Sequence, residues 1–285
     1  MLTQNYNEPE ARSSLIPVVL HHGILRFPDV TLGPIRFGYY RGIDHAIAGR
    51  GHPVIVTTVH PTAGIVRRAI QLKETILRQL DLMKRDKVLI IAHSMGGLDA
   101  RYMISCLGME RHVSALLTIT TPHRGSPFAD WCLRNLGQRL GWLRIARLLG
   151  IDIDSMKDLT TESCRKFNDE VSDSAHVRYF SISAARPLLR VPPFAYASHK
   201  LISAAEGEND GLVSVRSSTW GTHLGIWPAD HWHTINHRIL PELTDPTGDI
   251  IPYYLSALDR LERVGMDLKT ESAQQDADSP AVVAG

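Results

Sequence analysis

The chain has 285 residues, of which 44% are hydrophobic, and its 31 basic and 30 acidic side chains leave a formal net charge of +1. This balance gives no long-range field that would favour a nucleic acid or an anionic membrane. No segment reaches the apolar length of a membrane span. The length allows one large or two small domains with a substantial core.

The cysteines and the N-terminal residues carry little information about the compartment. Cys106, Cys132 and Cys164 are too far apart in sequence to form a metal-ligand pair. We expect Cys106 to be a core residue, while a Cys132–Cys164 bridge stays open for an exported chain. Residues 1–14 are polar, without a hydrophobic signal region, and are predicted to form a poorly ordered arm. We expect a cytoplasmic protein; export with the targeting segment already removed is the alternative.

The first predicted strand covers residues 16–21 and leads into His22, Gly23 and Ile24. A His-Gly step after an early strand can turn the next backbone N–H, here that of Ile24, towards a developing oxyanion. The alternative is a plain turn that ends the strand. Residues 26–45 are rich in glycine and aromatic side chains, which fits a loop over a pocket as well as ordinary packing.

Strands and helices then alternate. Apolar residues three and four apart predict an amphipathic helix, and short apolar runs rich in branched residues predict buried strands. This order predicts an α/β fold with a mostly parallel sheet covered by helices on both faces. The predicted elements are a strand at 54–59, a helix at 64–84, a strand at 88–92, a helix from Gly97 and a strand at 113–120.

A serine lies between the strand at 88–92 and the following helix, in the sequence Ala92-His93-Ser94-Met95-Gly96. A serine on a sharp strand-to-helix turn exposes its hydroxyl, and small residues two before and two after it let strand and helix pass closely. Ala92 stands where glycine is usual. We predict Ser94 as a nucleophile and the N–H of Met95 as an oxyanion donor; a chance strand–helix junction is the alternative.

Residues 127–176 combine many large apolar residues with interleaved arginines and several glycines. The segment is too apolar for a free surface. We interpret it as an inserted helical cap that covers the serine and can make transient contact with a lipid interface. A pair of helices packed on the sheet is the other interpretation.

The remaining chain is predicted to complete the domain. A strand at 177–183 precedes a loop at 187–193, and residues 250–264 form a terminal helix. Residues 266–285 are polar and then rich in small residues, which predicts a disordered tail. Residues 15–265 would thus form one domain.

A nucleophilic serine needs a histidine to take its proton and a carboxylate to orient that histidine. Asp210 precedes Gly211 in a turn between the strand at 177–183 and a histidine-rich loop, so turn amides can fix it pointing inward. A solvated turn aspartate is the alternative, and Glu206 and Glu208 are weaker candidates.

The histidine is chosen from Asp230-His231-Trp232-His233, with His223 and His237 nearby. His231 is the predicted base, and His233 remains open. The His-x-His spacing has no carboxylate or cysteine partner within sequence reach, so we predict no metal.

Several motifs occur together, in the order along the chain that is typical of one family. Through these motifs the chain resembles the bacterial triacylglycerol lipases of the α/β-hydrolase superfamily. The resemblance covers roughly residues 14–265 and implies an α/β-hydrolase fold. It also implies Asp210 as the acid and His231 as the base. The motifs are His22-Gly23, Ala-His-Ser-Met-Gly-Gly at 92–97, Thr-Thr-Pro-His-Arg-Gly-Ser at 120–126, Asn-Asp-Gly-Leu-Val at 209–213, and His231 five residues before Asn236.

Two departures from this family's pattern affect what the resemblance implies. Where the family has two aspartates for a structural calcium, this chain has His233 and Arg190, and where it often has a cysteine, this chain has Arg216. The resemblance therefore does not imply a calcium ion or a disulfide here.

These observations predict a carboxylic-ester hydrolase that works through Ser94, His231 and Asp210 without a cofactor. The apolar cap favours a small-molecule or lipid ester as substrate, and no nucleic-acid partner is expected. Acyl transfer or thioester cleavage on the same triad is one alternative. A non-catalytic, lipid-binding protein of the same fold is another.

Overall fold

The computed structural model describes residues 15–24, 30–32, 35–136, 154–239 and 248–263. A six-stranded, wholly parallel sheet in the order β4-β1-β5-β6-β7-β8 forms its centre. A separate antiparallel pair, β2 and β3, follows β1. The strands are β1 (Val18–His21), β2 (Val30–Leu32), β3 (Ile35–Phe37), β4 (Val54–Val56), β5 (Val88–His93), β6 (Val113–Ile119), β7 (Arg178–Ala184) and β8 (Thr222–Trp227).

Helices cover the sheet, as the parallel arrangement requires. Within the described residues, the connection from β6 to β7 contains three of them, α4 to α6. The helices are α1 (Ile43–Gly49), α2 (Ile65–Met83), α3 (Gly96–Cys106), α4 (Pro127–Leu136), α5 (Asp154–Asp158), α6 (Thr161–Glu170), α7 (Tyr196–Glu206), α8 (Val215–Ser218) and α9 (251–263).

The central strands are buried on both faces, which explains their unbroken apolar runs. Ile91 and Leu117 belong to the core on one face of the sheet, together with Tyr254 of α9. Their neighbours Ile90 and Leu116 belong to the core on the other face. Alternate residues of a strand point to opposite faces, so both need apolar side chains.

A third apolar cluster joins α3 to the β6–β7 connection. Met95 and Leu98 are fully buried in it against Leu159, Cys164 and Phe167. This cluster fixes the described helices of residues 127–176 on the helix that follows Ser94.

The α/β-hydrolase fold and the predicted parallel sheet are confirmed. β4 is shorter than predicted, because its pairing with β1 stops at Leu20 and Val56. β8 and α7 were not predicted. β8 lies at the sheet edge with Gly225 in its middle, and Ser198 and His199 stand on the buried face of α7, so neither shows the apolar spacing of a core element.

Of the smaller expectations, those on the cysteines have an outcome and those on the chain ends and the middle of the cap do not. Cys106 is exposed at the end of α3, so placing it in the core was wrong, and all three cysteines are free. The arm at 1–14, the tail at 266–285 and the middle of the predicted cap lie outside the described residues.

Candidate active site

Ser94 lies at the carboxyl end of β5 in a strained turn. Its φ is +55°, which non-glycine residues rarely adopt. The turn is held by the Ser94 N–H, which donates to the Ile119 carbonyl at 2.9 Å, and by the Gly97 N–H, which donates to the Ser94 carbonyl at 3.1 Å. The strained conformation directs the hydroxyl away from the sheet and towards the loops above it.

The glycines around this turn are required by close packing. A Cβ on Gly96 would lie 2.8 Å from the His22 carbonyl oxygen, and one on Gly97 would lie 2.2 Å from Thr121 Oγ1. A methyl group at either position would push α3 off its neighbours. Ala92, two residues before Ser94 in β5, is fully buried, so a methyl group is accommodated there.

The structure brings Ser94, His231 and Asp210 into one chain of hydrogen bonds. His231 Nε2 is 3.1 Å from Ser94 Oγ, and His231 Nδ1 is 2.6 Å from Asp210 Oδ2. A carboxylate can only accept, so Nδ1 carries the proton and Nε2 is left to accept from the serine hydroxyl. This is the tautomer that general-base catalysis needs.

Asp210 is held by its own turn. Its Oδ1 accepts the N–H groups of Leu212 at 2.9 Å and Val213 at 2.7 Å, and its carbonyl accepts the His231 N–H at 3.0 Å. The side chain is fully buried. All of these partners belong either to the turn at 209–213, here called the acid loop, or to the loop that carries His231, here called the histidine loop. These hydrogen bonds therefore hold the two loops together and also orient the side chains of Asp210 and His231.

The predicted oxyanion donors are the backbone N–H groups of Ile24, which lines the same cavity as Ser94, and of Met95, which follows Ser94. Gly23 passes directly beneath the serine, where a Cβ would come within 2.7 Å of Ser94 Cβ. Among the described residues, the N–H groups of Ile24 and Met95 form no hydrogen bond. No described residue therefore occupies the two amides that the sequence predicted as oxyanion donors.

The peptide unit that carries the Ile24 N–H is clamped through its carbonyl. The Gly23 oxygen accepts from Arg68 Nη2 at 3.2 Å and from His22 Nδ1 at 2.8 Å. His22 Nε2 accepts the Val59 N–H, so Nδ1 is the protonated nitrogen. Two donors on one carbonyl fix the orientation of the peptide plane, and thereby the direction of the Ile24 N–H.

Arg68 itself is fully buried on α2. Its Nε donates to Asp99 Oδ2 at 2.8 Å, and the same oxygen is 3.0 Å from His21 Nε2. Burial lowers the pKa of His21, although the neighbouring Asp99 acts in the opposite direction. Arg68, Asp99 and His21 thus form a buried polar cluster directly under the Gly23 turn, which the sequence patterns did not reveal.

His233 occupies a different environment from His231. Its Nδ1 accepts from Arg186 Nη2 at 2.5 Å, and its Nε2 is 2.8 Å from the Gly248 carbonyl. Arg186 Nη1 also pairs with Asp230 Oδ2 at 3.1 Å. Burial raises the pKa of Asp230 to about 6. His233 is therefore hydrogen-bonded to Arg186, and of these two histidines the structure places His231 beside Ser94.

The cationic group next to His233 is Arg186. Arg190 lies in a short 3-10 turn, Leu188–Arg190, while the Arg186 guanidinium binds the Pro228 carbonyl, Asp230 and His233. In the part of the chain that the structure describes, no group of three His, Cys, Asp or Glu residues could hold a metal ion.

The Ser94 hydroxyl opens into a cavity of about 340 Å³. None of the described lining residues carries a formal charge. Phe128 and Ala129 of α4, and Met156 of α5, form the wall contributed by the β6–β7 connection. The remaining apolar lining is Ile24, Pro122, Leu159, Leu212, Val213, Trp232 and Ile235. Such a cavity favours an apolar ligand with its polar group at the serine. No helix within the described residues is both long and apolar enough to cross a bilayer.

Comparison with known proteins finds a family model and several lipases that are similar to this chain. A family model for the PGAP1-like alpha/beta domain matches residues 55–181. Triacylglycerol lipase 2 of Saccharomyces cerevisiae is 32% identical over 245 residues, which are 80% of this chain and 74% of the yeast protein. The triacylglycerol lipase of Vibrio cholerae is 29% identical over 290 residues, with 88% of each chain covered.

Solved structures show the same fold at lower identity. A metagenomic carboxyl esterase superposes with a TM-score of 0.71 at 19% identity, covering 91% of this chain and 79% of the esterase. The lipase of Staphylococcus hyicus has a TM-score of 0.67 at 17% identity, covering 93% of this chain and 99% of the lipase. With the fold, the motif order and the yeast relative in agreement, the chain belongs to the triacylglycerol lipase family of α/β-hydrolases and is a hydrolase of the lipase/esterase type.

Proposed function

We propose that this protein hydrolyses neutral carboxylic esters with an apolar acyl chain, through a Ser94–His231–Asp210 triad and an acyl-enzyme intermediate. One observation carries the proposal: the hydrogen-bond chain from Asp210 through His231 ends on a serine hydroxyl that faces an uncharged apolar cavity. A nucleophile, its base and a place for the acyl group thus meet at one point.

The first step is attack of Ser94 Oγ on the ester carbonyl carbon. His231 Nε2 takes the hydroxyl proton as the new C–O bond forms, and Asp210 stabilises the resulting imidazolium through Nδ1–H. The carbonyl π electrons move to oxygen and give a tetrahedral intermediate. Collapse of this intermediate breaks the bond to the alcohol, which receives the proton from His231 and leaves Ser94 acylated.

The developing oxyanion would be bound by the N–H groups of Ile24 and Met95. The Ile24 amide is aimed by the clamp that Arg68 and His22 place on the Gly23 carbonyl. Hydrogen bonds to a carbonyl also polarise its own N–H, which strengthens the donor. Donors that are fixed in advance need no reorganisation when charge appears.

Water completes the cycle by the same route. His231 removes a proton from water, the hydroxide oxygen attacks the acyl carbon, and Ser94 leaves with the proton returned by His231. The products are a carboxylic acid and a free enzyme. No metal or organic cofactor enters any of these steps.

The cavity wall suggests which esters are used. Phe128, Met156 and Leu159 belong to the predicted cap at 127–176, and with Trp232 they surround the acyl position. We propose that this cap contributes to acyl binding and makes transient contact with a lipid surface. A charged or peptide substrate would find no complementary side chain among the described lining residues.

The test is hydrolysis of p-nitrophenyl esters from two to sixteen carbons, with emulsified triglyceride alongside and Ser94→Ala as control. We expect Ser94-dependent turnover that favours acyl chains over the acetate. A jump in rate at the emulsion surface would support the cap as a mobile lipid-contacting element, and its absence would make the cap a fixed wall. If Ser94→Ala retains the wild-type rate, or no ester is turned over, the proposal fails.

A further inference from the structure

A buried set of side chains connects the oxyanion loop, the serine turn and the histidine loop. Tyr39, His93 and Thr234 form it, and all three are at least 95% buried. The Tyr39 hydroxyl lies 3.1 Å from the Gly23 nitrogen and 2.7 Å from His93 Nδ1. His93 Nε2 lies 2.9 Å from Thr234 Oγ1.

At the histidine loop, the hydrogen bonds of this set can run in only one direction. The Thr234 hydroxyl donates to the His231 carbonyl at 2.7 Å, and a carbonyl can only accept. The single hydroxyl proton is therefore used, so Thr234 Oγ1 must accept from His93. His93 consequently carries a proton on Nε2.

The other end is fixed in the same way. Burial, with His231 close by, lowers the pKa of His93 well below its usual range, so the ring is neutral and its Nδ1 is an acceptor. The Tyr39 hydroxyl therefore donates to Nδ1. The Gly23 N–H can only donate, so the Tyr39 oxygen accepts from it.

The result is one directional chain with each shared proton assigned. It runs from the Gly23 N–H to Tyr39, from the Tyr39 O–H to His93, from His93 Nε2–H to Thr234, and from the Thr234 O–H to the His231 carbonyl. Gly23 precedes the Ile24 donor, His93 precedes Ser94, and His231 is the base. The chain of hydrogen bonds is therefore attached at or directly beside each of the three proposed catalytic groups.

We propose that Tyr39, His93 and Thr234 act as a positioning relay that holds the oxyanion loop and the catalytic histidine in register with Ser94. The proposal rests on the proposed function, because it assigns these residues a role relative to Ser94, His231 and Ile24. None of the three performs a chemical step. They act by fixing the distance between the attacking oxygen, the base and the oxyanion donors, to which rate is sensitive on the ångström scale.

A continuous relay makes a prediction that separate contacts do not. Tyr39→Phe removes the hydroxyl at the oxyanion end and Thr234→Val removes the hydroxyl at the histidine end, each with little change in shape. If the relay works as a unit, breaking it at either end loosens the same alignment of the oxyanion loop, Ser94 and the histidine loop. The double variant should then lose about as much kcat as either single variant, since residues acting as a unit are non-additive.

The experiment is a double-mutant cycle on kcat, KM and thermal stability with one p-nitrophenyl ester. We expect each single variant to lose about 10-fold in kcat at a nearly unchanged KM, less than the loss of a direct oxyanion donor. The double variant should also stay near 10-fold. Losses that multiply to about 100-fold in the double variant would overturn the relay, as would unchanged kcat in both single variants.

Matched controls separate positioning from ordinary stability. Tyr179 accepts the Ser174 N–H at 3.1 Å, as Tyr39 accepts that of Gly23, but lies outside the site. Thr219 donates to the Val215 carbonyl at 2.8 Å, as Thr234 donates to that of His231. Tyr179→Phe and Thr219→Val should lower stability without lowering kcat, and Thr234→Ser, which keeps the hydroxyl, should keep near-wild-type kcat.

The cycle also distinguishes failure of the relay from failure of the proposed function. Reaction of Ser94 with a fluorophosphonate is measured in parallel for every variant. If Ser94→Ala abolishes turnover and labelling while the relay variants keep full rates, only the relay is wrong. If Ser94→Ala keeps full turnover, the proposed function itself is wrong.

Discussion

The two sides of the cavity are built on different physical principles. On the catalytic side, Ser94, His231 and the Gly23 turn are held by buried hydrogen bonds whose directions are fixed by donor and acceptor chemistry. On the side formed by α4 to α6, the wall packs through the apolar cluster around Met95 and Leu98.

This difference corresponds to what each side has to do. In the proposed mechanism, bond formation at Ser94 needs donors and acceptors in fixed positions, which directional hydrogen bonds provide. An acyl chain needs a water-excluding surface that tolerates variation in shape, which apolar packing provides. Substitutions on the catalytic side should therefore change kcat, and substitutions in the wall should change stability and KM.

The largest expected effect comes from the triad. Ser94→Ala should lower kcat by roughly a million-fold and Asp210→Asn by about ten-thousand-fold, by comparison with other serine triads. Steady-state hydrolysis of a p-nitrophenyl ester checks both. Ser105→Ala on the same helix α3 is the control and should keep the wild-type rate. An Asp210→Asn variant with full activity would show that another carboxylate orients His231.

The next effect concerns the buried ion pair under the Gly23 turn. Arg68→Met leaves Asp99 charged and without its cation, so we expect about 3–5 kcal/mol of lost stability in urea unfolding. Adding Asp99→Asn removes the unpaired charge and should recover part of that loss. Turnover should stay low in both variants, because the Gly23 carbonyl has lost one of the two donors that fix its orientation. Recovery of kcat together with stability would contradict the role of Arg68 in aiming Ile24.

A smaller effect should appear in the pH dependence of stability. Burial lowers the pKa of His123 well below its usual range, and an adjacent Arg101 guanidinium acts in the same direction. The unfolded chain takes up a proton near pH 6.5 and the folded chain does not, so this contribution is complete above pH 6.5 and is lost as pH falls below it. Each such histidine changes the free energy of unfolding by about 1.4 kcal/mol per pH unit.

His123→Asn should therefore flatten the acid side of the stability curve by about that slope between pH 6 and pH 5. Asp230 acts in the opposite sense, because its pKa is raised to about 6 and protonation below that value favours the folded chain. The comparison is thus made between variant and wild type at each pH by urea unfolding. Equal slopes in the two proteins would show that His123 is protonated in the folded state.

The smallest expected effect concerns the cavity wall formed by α4 to α6. Asp158 of α5 accepts the Ile65 N–H at 2.8 Å, which places a carboxylate at the N-terminus of α2. Asp158→Ala should cost about 1 kcal/mol through the lost cap. It should raise KM for long-chain esters more than for the acetate, at a similar kcat. Asp154→Ala removes an exposed carboxylate of the same helix and should change neither; a uniform loss of kcat with Asp158→Ala would place the effect on the catalytic side.

Much of the catalytic side is predictable from the sequence, because strained turns and loop carboxylates have strong local signals. Ser94 was predicted from small residues around a strand–helix junction. Asp210 and His231 were predicted from order along the chain, and the structure places all three within hydrogen-bonding distance. Their catalytic roles remain predictions until the variants are measured.

The supporting polar groups were not predicted, because they come from distant parts of the chain. Arg68 falls on the apolar face of α2, in step with Ala69, Leu72 and Ile76, and that position was the available signal of a buried charge. Tyr39 and Thr234 have no such signal. Their roles depend on the packing of three loops, which local periodicity does not encode.

The central claim is tested most directly by trapping the covalent intermediate. Rapid mixing with a p-nitrophenyl ester, an acid quench and intact-mass measurement would detect the acyl-enzyme, and peptide mapping would locate it. The account predicts one acyl group on Ser94, formed in step with a burst of p-nitrophenol and prolonged when water is limited. An adduct on another residue, or ester turnover that never acylates Ser94 and survives Ser94→Ala, would contradict it.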